Sequence, residues 1–133
     1  KRYVPPEVFR LPLQPSGDLT TAELVILLDG IPRPTERDLR EDPSHGPYSS
    51  MSTAFDFNGK DDVVVTYKEA YLCRRKLRGT WPEAFSGRPR RIPLPYLSGL
   101  DSVAFDSIDR YFYVTDERKN GTGTTDVFRI EYR

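Results

Sequence analysis

Ser52-Thr-Ala-Phe-Asp56 returns fifty residues later as Ser102-Val-Ala-Phe-Asp106, and this repeat decides the fold class. After the shared Ala-Phe-Asp, eight residues lead to Val65-Thr66 in the first copy and seven lead to Val114-Thr115 in the second. A third aligned run follows in each, Ala70 to Arg75 and Asp126 to Glu131. Every run is rich in aromatic and β-branched residues, which fit a pleated, half-buried surface. The shared Ala, Phe, Asp, Val and Thr are what strands and turns need. A period near fifty residues built from strands marks modular β architectures, whose units cannot bury their faces alone.

Turn chemistry separates the runs. Asn58-Gly59 is the strongest short hairpin signal and Lys68-Glu69 a second turn, so Ser52–Phe57, Asp62–Tyr67 and Ala70–Arg75 read as one meander. Ser102–Ser107, Arg110–Asp116 and Asp126–Tyr132 read as another, with the Gly- and Thr-rich turn Asn120–Thr125 before its last strand. Between them, Arg78–Phe85 reads as a helical turn, followed by the Pro- and Arg-rich stretch Arg88–Pro95. Upstream, Glu7–Leu13 reads as a short strand that resembles Asp126–Ile130. Thr20-Thr-Ala-Glu23 has the capping-box pattern and predicts a short helix through Leu28, stopped at Asp29-Gly30, with a short β-run as the alternative. Residues 31–50, carrying Pro32, Pro34, Pro43 and Pro47, read as a loop in which Glu36–Asp42 forms a solvated surface or a helical turn.

The expected class is all-β with one short helix, built on two antiparallel blade-like meanders. The expected organisation is a single domain: residues 1–50 hold the first strand, the helix and the loop, 51–95 the first repeat and 96–133 the second. At 133 residues the chain can bury roughly two-thirds of its unfolded surface. Twenty basic and twenty acidic residues give no net pull toward nucleic acid or membrane. The longest apolar run, Leu24–Leu28, is far short of a membrane span. A lone cysteine, Cys73, excludes an internal disulfide and a multi-thiolate metal site, and its strand setting reads as a buried thiol. The chain opens on Lys1-Arg2, as a processed or partial product would. Asn120-Gly-Thr122 fits the N-glycosylation pattern and is equally a turn signal.

Two meanders joined by a Trp-Pro connector, Trp81-Pro82, and restarting at Ser-x-Ala-Phe resemble hemopexin-like β-propeller blades. Ser52–Phe55 and Ser102–Phe105 would be inner strands, Tyr71–Arg75 a third strand, and Leu97–Asp101 the lead-in to the second copy. The resemblance covers about residues 50–133 and implies non-catalytic recognition of a protein or other ligand. Ser stands where that family has an inner-strand Asp, although main-chain carbonyls hold the family's central ion. Gly99–Asp106 followed by Tyr113-Val-Thr-Asp116 is also similar to blades of the SMP-30 and NHL kind. That resemblance implies a fragment of a metal-dependent propeller hydrolase.

Charge is unevenly placed. Arg74, Arg75, Lys76, Arg78, Arg88, Arg90 and Arg91 stand against Glu83 alone over residues 74–91, while residues 101–117 hold five acids against Arg110 alone. The basic cluster, with Trp81 as a stacking aromatic, is a candidate surface for a polyanion or a protein partner, because arginine forks fit planar anionic groups. Pairing between the two charged regions is the blander reading, as is Trp81 serving as a core plug. Asp116 and Glu117 are candidate ligands for a divalent cation such as calcium, which needs converging oxygens. His45, the only histidine, lies in a loop with local Asp42 and Ser44, a poor setting for a catalytic triad. Gly121-Thr-Gly123 lacks the Lys of a phosphate loop.

The expected function is therefore binding rather than catalysis, with a protein partner or self-association and no membrane or nucleic acid. Two blades cannot close a ring. A ring of four would take two chains and a ring of six three. The alternatives are a two-sheet sandwich capped by the helix, or a piece of a longer propeller.

Overall fold

A computed structural model describes residues 5–12, 21–41, 50–95, 99–108, 110–116 and 125–132. Within them the chain is mostly β, with nine strands in three antiparallel sheets and two short helices. Strands β1 (Glu7–Arg10) and β2 (Glu23–Leu27) form a two-stranded sheet. Strands β3 (Ser52–Phe57), β4 (Asp61–Thr66), β5 (Ala70–Arg74) and β6 (Arg90–Ile92) form a four-stranded meander. Strands β7 (Leu100–Phe105), β8 (Tyr111–Asp116) and β9 (Val127–Glu131) form a three-stranded one. Helix α1 spans Glu36–Glu41 and helix α2 spans Trp81–Ser86, between β5 and β6.

The four-stranded sheet lies in the middle, so all six residues of β4 are buried. Its Val63, Val65, Ala70, Leu72 and Ile92 pack on Leu100, Phe112, Val114 and Tyr132 of the three-stranded side. Its opposite face presents Val64, Tyr71 and Cys73 to Leu28, Ile31, Val8 and Ile26, with Phe85 of α2 among them. Cys73 is thus a buried thiol, as its strand pattern implies, and burial pushes it up to about 12, helped by nearby Asp62. A two-sheet sandwich is replaced by three stacked layers.

The run after Glu23 is a strand, not the helix its capping-box pattern predicts. Val25 and Ile26 favour the extended backbone, and β1 offers an antiparallel ladder, Val8 opposite Ile26 and Phe9 opposite Leu24, with a bulge at Val25 between them. The Glu23 carboxylate pairs with Arg10 across the two strands at 2.5 Å. Thr20 lies outside the described residues. The same Thr-x-x-Glu spacing does form a capping box at Thr80–Glu83, where Pro82 suits the first turn of α2. Thr80 Oγ1 accepts from the Glu83 amide, and the Glu83 carboxylate, lowered by this bonding, accepts from the Thr80 amide at 2.7 Å. The turn after β2 docks close to the end of α2: a Cβ on Gly30 would come within 2.7 Å of the Gly87 carbonyl oxygen. The segment Glu36–Glu41 takes its helical alternative, with Arg37 and Glu41 paired one turn apart at 2.6 Å.

The repeat holds in space, with a corrected register. Phe55 lies opposite Val64 and Phe105 opposite Phe112, so Val64 and Phe112 are counterparts. The sequence alignment of Val65 with Val114 is one residue out, since Ala54 lies opposite Val65 but Ala104 opposite Tyr113, and a one-residue slip reverses faces. Thr66 and Thr115 still lie opposite the repeated Ser52 and Ser102, because the first pairing shifts between Ser52 and Ala54. Ladder length is the cause of the slip. The first hairpin zips two pairs further, through Phe57 opposite Asp62 to Asn58 bonded to Asp61 around Gly59 at φ +86°, whereas the second closes at Asp106 bonded to Tyr111.

The two repeated aspartates have different partners. Asp106 Oδ1 accepts from the Arg110 and Tyr111 amides of its own turn. Asp56 Oδ2 reaches the next sheet and accepts from the Phe105 amide at 2.7 Å. Replacing Asp56 with Ala leaves that amide without its charged acceptor and should cost about 1–2 kcal/mol in urea unfolding.

Candidate functional site

The two-stranded sheet covers only part of the face it packs on. Strand β2 lies against α2, while β1 has β2 as its main neighbour and faces β3 across a gap. A cleft of about 860 Å³ opens between them, within the ~300–1,000 Å³ typical of ligand sites. Phe55 and Phe57 are two residues apart on β3 and therefore share a face. They line the cleft at 44 % and 58 % exposure.

These two rings join a cluster. Phe57 meets the edge of Trp81 at 6.1 Å, Trp81 stacks on Phe85 at 5.8 Å, and Phe55 lies 6.3 Å from Phe85 and 6.4 Å from Phe57. The Arg75 guanidinium sits 4.9 Å over the Trp81 ring, a cation–π contact. Its terminal nitrogens donate to the Gly59 carbonyl at 2.6 Å and the Gly79 carbonyl at 3.3 Å. Its Nε is buried without an acceptor.

Asp62 also lines the cleft, 1 % exposed, with Oδ2 buried and unpartnered. Burial is the main reason its carboxyl rises from 3.8 to about 7; Asp61 next to it adds to the rise and Arg75 opposes it. Asp61 itself is fully buried, and Arg74 forks onto it at 2.7 and 3.3 Å. The cleft thus combines an exposed aromatic wall with two buried polar atoms that lack partners, where native interiors rarely leave such atoms.

Of the residues that the sequence singles out, Arg74 and Arg75 are engaged as described, Arg90 donates to the Tyr132 carbonyl, and Arg91 pairs with Glu69. These described partners lie outside the acidic stretch 101–117. Lys76, Arg78 and Arg88 are exposed. Trp81 is half-buried in the cleft wall. Asp116 Oδ1 accepts from the Gly99 amide at 2.6 Å, tying the end of β8 to the start of β7. Glu117, His45 and Asn120–Thr122 lie outside the described residues. Among the described residues, no three His, Cys, Asp or Glu side chains group as a metal site. No described helix is long and apolar enough to cross a membrane.

Sequence patterns pointed to Arg75 and Trp81 but not to Phe55, Phe57 and Asp62. Two signals mark them: phenylalanines at alternate positions of one strand, and a second carboxylate at the head of Val63-Val64-Val65. No protein-family model, curated protein or solved structure matches the chain.

Proposed function

We propose that this chain is a non-catalytic recognition module of stacked, propeller-blade-like sheets, and that the cleft beneath β1 takes an apolar ligand. The carrying observation is the exposed wall of Phe55 and Phe57, backed by half-buried Trp81, over the buried Asp62 carboxylate. Blade-like organisation is supported by the four-stranded meander β3–β6 and by successive sheets stacking face to face. On that reading β1 and β2 are the last two strands of one unit, and β7–β9 the first three of another. Trp81-Pro82 opens a helix inside the four-stranded sheet, between β5 and β6, rather than in a connector between the two repeats.

The far face of the three-stranded sheet favours a ligand over ring closure by further copies. It carries Arg110 and Glu131, paired at 2.9 Å, and Arg129 packed on the Tyr111 ring at 4.7 Å. Stacking another unit there would bury these charges. The test uses Trp81, the only tryptophan, as reporter. Titration with N-acetyl-phenylalaninamide should change its fluorescence saturably at millimolar concentration, and Phe57→Ser should abolish the change. A linear, non-saturating response in both proteins would refute a binding cleft.

A further inference from the structure

Sheet sizes and the repeat together say what shape the cleft accepts. Phe105 is the counterpart of Phe55. It is packed against Phe112 at 6.3 Å and Tyr132 at 5.3 Å, in the core that Ala54, Val63 and Val65 of β3 and β4 complete. The two inner strands of the preceding sheet therefore cover Phe105. Among the described residues the preceding sheet over Phe55 is only β1 and β2, and Phe55 is 44 % exposed.

Strand β1 borders that opening. Glu7-Val-Phe-Arg10 nearly repeats Asp126-Val-Phe-Arg129, which leads into and forms the start of β9. In the three-stranded sheet, β9 is paired by β8, Tyr-Phe-Tyr-Val-Thr-Asp, with Tyr113 opposite Arg129. Among the described residues β1 has a neighbour on one edge only. At the rim Arg10 is neutralised by Glu23, and the exposed wall is Phe55 and Phe57, so a neutral apolar segment is the complementary partner.

We propose that the cleft binds an extended segment of another polypeptide by strand addition to β1. The segment continues the two-stranded sheet as β8 continues β9, places an aromatic residue beside Arg10, and lays apolar side chains on Phe55 and Phe57. Backbone hydrogen bonds supply affinity and the aromatic wall supplies selectivity, the established logic of β-augmentation. This rests on the recognition reading above and names its partner class.

The test is a synthetic peptide of the β8 sequence, residues 111–115 with blocked ends, which is neutral and contains no tryptophan. Titrated into the whole chain, it should shift Trp81 fluorescence saturably at micromolar concentration. Phe57→Ser, at a largely exposed position, should weaken it at least about tenfold. The same peptide N-methylated at alternate residues keeps its side chains but loses the ladder donors, and should not bind. Equal binding of both peptides overturns strand addition while leaving an apolar-binding cleft. Binding of the phenylalaninamide probe without either peptide does the same, and silence from all three overturns both readings. A dimer by light scattering that Phe57→Ser dissociates would make a second copy the occupant and also overturn the proposal.

Discussion

Phe112→Ala is expected to lower the unfolding free energy by about 3–5 kcal/mol, a large fraction of the ~5–15 kcal/mol that holds a domain folded. Phe112 is fully buried on β8 and lies edge-on to Phe105 at 6.3 Å and 5.9 Å from Tyr132. Those contacts sit where the middle and three-stranded sheets meet, so the cavity cannot be closed by one side chain moving. Tyr132 adds its own ties: its amide donates to the Arg110 carbonyl, its carbonyl accepts from Arg90, and its hydroxyl accepts from Asn58 at 3.2 Å. Urea unfolding followed by tyrosine and tryptophan emission should show a lower midpoint with an unchanged slope. A loss under about 1 kcal/mol would mean that the interlayer core repacks, and that the sheets are not rigidly stacked.

The same core shows what was legible in the sequence. Both meanders, their tight turn at Asn58-Gly59 and the helical turn at Trp81 follow from local chemistry, and all are present. Local chemistry misjudged Glu23–Leu27, because a run of five apolar-rich residues carries no period of its own, and only the distant partner Glu7–Arg10 decides it as a strand. Strand β6 was hidden for a similar reason. Arg90-Arg91-Ile92 is too short and too basic to read as β, and it pairs with β5 because Ile92 completes the core while Arg91 reaches Glu69. The site was less visible than the fold. Phe55 and Phe57 look like ordinary core residues, and what makes them a candidate site is their exposure, a property of sheet stacking that no local window contains.

Asp62→Asn is expected to stabilise the protein at pH 8 by up to about 4 kcal/mol and to flatten its dependence on pH. Each unit of pKa difference between folded and unfolded chains is worth about 1.4 kcal/mol. The folded Asp62 carboxyl lies at about 7 against an ordinary 3.8, chiefly because burial disfavours its charge and Asp61 repels it. An acid raised on folding binds its proton more tightly in the folded chain. Folding is therefore penalised by its ionisation as pH rises from near 4 to near 7, and the full penalty stands above 7. Asparagine carries no charge to desolvate, so the variant should lose the decline between about pH 4 and 7 that Asp62 imposes on the parent. The buried Oδ2 without a partner explains why the penalty goes uncompensated, and a cleft-bound N–H donor would relieve it by stabilising the carboxylate. The parent's unfolding midpoint in urea, measured from pH 4.5 to 8, should fall across that range by more than the variant's. Parallel profiles would show that Asp62 is solvated in the folded protein, and would remove the polar half of the proposed site while leaving its aromatic wall.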